Sequence, residues 1–135
     1  MEEKQKELLF RLSMAEQNLK LIEQQLQAVE EGILDINSIS LGLDELKGAI
    51  GKEILAPVGR GIFVKAKLLS EDLTVDVGGK NFVKKSIPET KEIIKTQSGK
   101  LNEIKKDLEK NAREIDQELT EMIIKAQNKN SENPE

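Results

Sequence analysis

The chain has 135 residues, enough for one domain, of which 37% are apolar, 34% charged and 2% aromatic, with a net charge of −4. It contains no cysteine and no histidine, which removes thiolate nucleophiles, imidazole bases, the usual zinc sites and a disulfide framework, so neither an enzyme nor a metal or cofactor is expected. The acidic balance and the scarcity of stacking rings speak against nucleic acid, and no apolar run approaches the roughly 20 residues that span a bilayer, so a soluble cytoplasmic protein without a membrane partner is expected.

Residues 1–51 read as a coiled-coil helix. From Leu8 the apolar positions are Leu8, Leu12, Ala15, Leu19, Ile22, Leu26, Val29, Ile33 and Ile36, alternating steps of four and three over five heptads. Past Ile36 the stripe is expected to shift to Ile39, Leu43, Leu46 and Ile50, with Ser40 and Lys47 displaced from it. Two successive steps of three act as a stammer, and with Gly32 and Gly42 they predict a bend or splay over residues 32–42. Gly48 and Gly51 offer the terminating glycines.

Residues 52–85 change character, with apolar and polar residues alternating at period two and β-branched residues dense. Turn residues divide them into strands at about 53–58, 62–68, 73–77 and 81–85, with Gly59-Arg60-Gly61 and Gly78-Gly79-Lys80 at the turns and Ser70-Glu71-Asp72 between the pairs. Two hairpins in tandem follow. Ile54, Ala56 and Val58 share one side of the first strand, Ile62, Val64, Ala66 and Leu68 one side of the second, and Leu73, Val75 and Val77 one side of the third, while Leu55 and Phe63 lie opposite. Two short hairpins are marginal alone in water and leave open edges, so they are expected to be completed by strands of other chains; the alternative is a small sheet packed on its own helices. The expected assembly residues are Ile54, Leu55, Pro57, Val58, Ile62, Phe63, Val64, Leu68, Leu73, Val75, Val77, Phe82 and Val83. The segment carries seven positive and four negative side chains; its lysines, Lys65, Lys67, Lys80, Lys84 and Lys85, suit an acidic partner or serve to guard exposed edges. Gly78-Gly79-Lys80 lacks the spacing of a phosphate loop.

The second helix, residues 86–127, is announced by Ser86-Ile87-Pro88-Glu89, a capping box with proline in the first turn. Its seam is Ile87, Ile94, Leu101, Leu108, Ile115 and Met122, with Ile104 and Ala126 read as the alternate core position together with Gln97, Asn111 and Glu118. Residues 128–135 are polar and read as a disordered tail. The two helical stretches match in length, roughly 60–65 Å each, which favours an antiparallel hairpin over a parallel dimer. The fold class is thus α+β, a long antiparallel coiled-coil hairpin with two tandem β-hairpins between its helices.

With the seam assigned, Leu9, Phe10 and Met14 near one end and Ile123 and Ile124 near the other fall off it. In the antiparallel hairpin these meet at one tip, beside Leu8, Leu12, Leu119 and Met122. A flexible apolar patch with Met and Phe suits a surface that binds many apolar segments. The competing readings are that such residues are ordinary surface apolar residues, as Leu21, Leu34 and Leu41 are, or that they pack on one another to stop fraying.

The segments ILAPVGRGIFVKA at 54–66 and VDVGGKNFVKK at 75–85, between two coiled-coil helices, resemble the α-type subunits of the prefoldin family across nearly the whole chain. The resemblance implies an oligomeric double β-barrel body built from the hairpins of α-type and β-type subunits. It also implies paired helices whose tips hold non-native polypeptides for delivery to a group II chaperonin, without ATP. Arg60, Ile62 and the turn Lys80-Asn81-Phe82 are bulkier than the family usually carries there, which leaves open self-assembly, as in the family's filament-forming α-like variant. A purely structural coiled-coil or filament protein is the other function class.

Overall fold

The computed structural model describes residues 2–132, and the side chains of residues 2–128. Element order is α1 (Glu3–Leu46), β1 (Glu53–Gly59), β2 (Ile62–Lys67), β3 (Leu73–Asp76), β4 (Phe82–Lys85) and α2 (Ile87–Glu132). The chain forms two compact units, one from the residues up to Gly32 with those from Leu101 onward, the other from Ile33–Lys100.

In the first unit the helices run antiparallel: Glu30 pairs with Lys105 at 3.7 Å, a side chain added at Gly32 would touch Leu101, and Leu8 shares a groove with Ala126. Every apolar seam residue named for α1 is buried or half-buried from Leu8 to Ile36. Beyond it the structure corrects the expected shift. Ser40 is half-buried and Leu43 buried, whereas Ile39 is 52% exposed, so the four-three stepping continues as far as Leu43; Leu46 then lies half-buried and Lys47 exposed, as the shifted stripe expects, and Ile50 is exposed. The helix itself is unbroken through Gly32 and Gly42. A single serine on the stripe is tolerated because its neighbours Ile36 and Leu43 supply the apolar contact, and a backbone already helical costs little to keep in phase.

The alternate stripe of α2 also differs from expectation. Half-buried positions fall four residues after each seam residue, at Lys91, Ser98, Lys105, Ala112, Leu119 and Ala126, while Gln97, Ile104, Asn111 and Glu118 are exposed. Small residues and lysines hold this stripe, with Leu119 its one large apolar residue. The lysine stems cover apolar surface and their ammonium groups reach carboxylates of α1, Lys105 to Glu30 and Lys91 to Asp44.

α1 stops at Leu46, four residues earlier than Ile50, because Gly48 adopts a left-handed φ of 70°. The stop is held from a distance: Gly48 N–H donates to Glu71 Oε1 at 2.9 Å, Gly51 N–H to the Leu68 carbonyl at 2.7 Å, and Leu68 N–H to the Lys52 carbonyl at 3.1 Å. α2 begins on the expected capping box, with Glu89 N–H donating to Ser86 Oγ at 3.2 Å and Ser86 N–H to Glu89 Oε1 at 3.3 Å. Buried Leu43, Ala49, Ile87 and Thr90 make the core of this second unit, and the Thr90 hydroxyl donates to the Ser86 carbonyl. At its other end α2 continues to Glu132, so residues 128–132 of the expected tail are helical; residues 133–135 lie outside the described residues.

The insert forms two separate antiparallel sheets, β1-β2 and β3-β4. The first pairs Ile54 with Ala66, Ala56 with Val64 and Pro57 with Phe63, then accommodates Val58 as a bulge before Gly59 meets Ile62. The second pairs Leu73 with Lys85, Val75 with Val83 and Asp76 with Phe82. Both close on two residues of positive φ, Arg60 (49°) with Gly61 (78°) and Gly79 (59°) with Lys80 (63°). This is the primed turn geometry that matches strand twist.

Candidate functional site

Two surfaces carry the apolar residues that the fold leaves uncovered. The first is the insert. Ile54, Leu68, Leu73 and Val75 are half-buried, facing inward. Leu55 (64%), Val58, Ile62, Phe63 (57%), Val64 (52%), Val77, Phe82 and Val83 are exposed, as is Pro57. Exposed apolar residues thus occupy both faces of the first hairpin, since Val64 lies opposite to Phe63. Two-stranded sheets with apolar residues on both faces do not satisfy themselves.

Sequence reasoning missed Leu69, 88% exposed in the β2-β3 connection. Its signal was the Leu68-Leu69 doublet, where one side chain turns in and its neighbour must turn out. Glu71 was missed as well, since its partner Gly48 is 23 residues away.

The second surface lies in the first unit, where the start of α1 meets the end of α2. Leu8, Leu12, Leu119 and Met122 are half-buried in the seam, with Ala15 buried behind them. Leu9 (66%), Phe10 (66%), Met14, Ile123 and Ile124 (48%) are exposed. Phe10 and Met14, one turn apart, line an open groove with Ile115 and Met122. An adjacent groove is framed by charge, with Lys4, Glu7, Arg11 and Lys125 around Leu8 and Ala126. The off-seam residues therefore do not close the end of the pair by packing into its seam.

Electrostatics serve the scaffold. The Lys91 ammonium, by hydrogen bond and charge, with Lys47 behind it, holds the Asp44 carboxyl below the ordinary carboxylate range. The Ser86 hydroxyl and then its backbone N–H do the same for Glu89. Among the described residues no cluster of acidic side chains could hold a metal ion, and no helix is long and apolar enough to cross a membrane.

Comparison with known proteins agrees with this architecture. The family model described as Prefoldin subunit matches residues 15–132. The prefoldin subunit alpha of Methanosphaera stadtmanae is 32% identical over 98 residues, 71% of each chain, and that of Methanobrevibacter smithii is 34% identical over 109 residues, 80% of this chain and 70% of the relative. The cryo-EM structure of filamentous PFD from Methanocaldococcus jannaschii superposes with a TM-score of 0.74 at 20% identity, covering 84% of this chain and 96% of the other. Two long helices flanking two antiparallel hairpins, matched over most of their length in sequence and in fold, show that the chain belongs to the prefoldin family.

Proposed function

We propose that this chain is a subunit of an ATP-independent holdase chaperone, which captures non-native polypeptides with the apolar side chains Leu9, Phe10, Met14, Ile123 and Ile124. One observation carries the reading: the helix seam is already filled by Leu8, Leu12, Ala15, Leu119 and Met122, yet a second set of large apolar side chains stands exposed beside it. Family membership supports a chaperone-type role. On this reading the partners are β-type prefoldin subunits or further copies of the chain, unfolded clients, and a group II chaperonin that receives them in the cytoplasm. A bound side chain contributes about 1.5–3 kcal/mol at most, so capture requires several helix ends acting together, and the insert supplies that multiplicity.

The test is suppression of aggregation of a chemically denatured client. Replacing Phe10, Met14, Ile123 and Ile124 together by Ser should weaken suppression several-fold while leaving the assembled mass unchanged; undiminished protection would overturn the reading. A second reading, a structural filament subunit, is favoured by the open strand edges. The relative of similar fold is itself filamentous. It expects no suppression by the wild-type protein.

A further inference from the structure

Three open grooves along the helix pair of the first unit join into one. The groove around Leu8 and Ala126 shares Arg11 with the groove between Phe10 and Met122, which in turn shares Asn18 and Ile115 with a third, between Leu21 and Asn111. On α1 the lining follows residues 4, 7, 11, 14, 18 and 21, the alternating steps of three and four that keep one flank of a coiled-coil helix facing one way. On α2 it follows residues 125, 118 and 111 at sevens. The joined groove runs along about 17 residues of α1, roughly 25 Å at the helical rise.

Its chemistry changes along its length. Lys4, Arg11 and Lys125, with Glu7 their one counter-charge, make the end at the helix termini cationic. Phe10, Met14, Ile115 and Met122 make the middle apolar. Glu114 and Glu118, with the amides of Asn18 and Asn111, make the inner end anionic beside the exposed Leu21. Among the described residues none of these charges takes part in an ion pair, whereas Lys105 of the same helix is bound to Glu30. They are available to a ligand. Both walls are continuous helix, so they have no free backbone row to give an extended peptide, whose own N–H and C=O groups would stay unpaired against the apolar middle. A helix satisfies its own backbone and presents side chains at the spacing of the walls.

We propose that this flank receives an amphipathic helical segment of a client, about five turns long, its acidic end beside Arg11 and Lys125 and its basic end beside Glu114 and Glu118. The inference rests on the capture reading above and narrows it, from apolar side chains of any kind to a helix of stated charge order. A short helix is most stable with acidic residues in its first turn and basic residues in its last, so the bound segment runs parallel to α1. Leu21 thereby joins the capture surface as its inner apolar contact.

The experiment measures binding to the full chain by fluorescence anisotropy, with labelled peptides of about 18 residues that share one apolar seam. In one the acidic residues fill the first half and the basic residues the second; in another the same charges are interspersed; a third is the first with two central prolines, which forbid the helix. The segregated peptide should bind about tenfold more tightly than the interspersed one, and the proline peptide should lose most of its binding. Arg11→Glu with Lys125→Glu should remove the preference for segregated charge. Leu21→Ser should weaken binding several-fold, while Leu34→Ser, comparably exposed in the second unit, should leave it unchanged. A benzophenone on the acidic end of the peptide should attach near Arg11 and Lys125 rather than near Leu21. Equal binding of segregated and interspersed peptides, undiminished binding of the proline peptide, attachment at the opposite end, or indifference to Leu21→Ser would each overturn the assignment. If wild-type protein still suppresses aggregation in those cases, only the groove assignment falls; if it binds no peptide and suppresses no aggregation, the capture reading falls with it.

Discussion

Asp44 shows how a single residue ties the helices of the second unit together. Its carboxylate accepts from Lys91 on α2 and lies 3.5 Å from Lys47, and both cations favour the charged form. A carboxyl whose folded pKa is depressed contributes stability that is present above its unfolded value and is lost as the pH falls through the folded one. Wild-type protein and Asp44→Asn should therefore differ in melting temperature near neutrality and converge as the pH falls below about 4, the ordinary range of aspartate. A gap that stays constant down to pH 3 would show that the pair contributes through geometry rather than charge. At the same scale Arg60 and Lys80 hold left-handed conformations that cost a side-chain-bearing residue about 1–2 kcal/mol. They are tolerated because the primed turn is what strand twist requires.

At the scale of elements, the strands and the start of α2 were legible because each carries a local signal. Period-two alternation runs from Ile54 to Ala66, glycines stand at the turns, and Ser86 and Glu89 have the capping-box spacing. The seam of α1 was legible for the same reason as far as Ile36. Its continuation was misread because Ile39 is more apolar than Ser40, yet the helical phase, fixed by the preceding heptads, puts Ser40 inside. The alternate stripe of α2 was hidden because Ser98, Lys105 and Ala112 do not look like core residues, although lysine stems pack well. This assignment predicts an inversion of the usual rule. Ser40→Leu should raise the denaturation midpoint, by about 1 kcal/mol of added burial, whereas Ile39→Ser should change it within about 0.5 kcal/mol. The opposite order, measured by urea unfolding, would restore the shifted stripe. Of the candidate sites, the exposed residues could be named from the heptad phase alone.

For the whole molecule, the function proposed above divides the labour between two surfaces: the insert would multiply the chain, and the exposed apolar residues at the first turns of α1 and the last turns of α2 would offer it a grip. A photoreactive phenylalanine analogue placed singly at Phe10, Met14 or Ile124, with Leu34 and Phe82 as comparison sites, tests this most directly. Leu34 and Phe82 are as exposed as Phe10 and as apolar, so exposure alone cannot separate them. Illuminated with a chemically unfolded client, the assembled protein should form client adducts from positions 10, 14 and 124, while position 82 yields subunit-to-subunit adducts and position 34 neither. Client adducts from 34 or 82 at the level of 10, or none from 10, 14 and 124, would contradict capture by the helix ends.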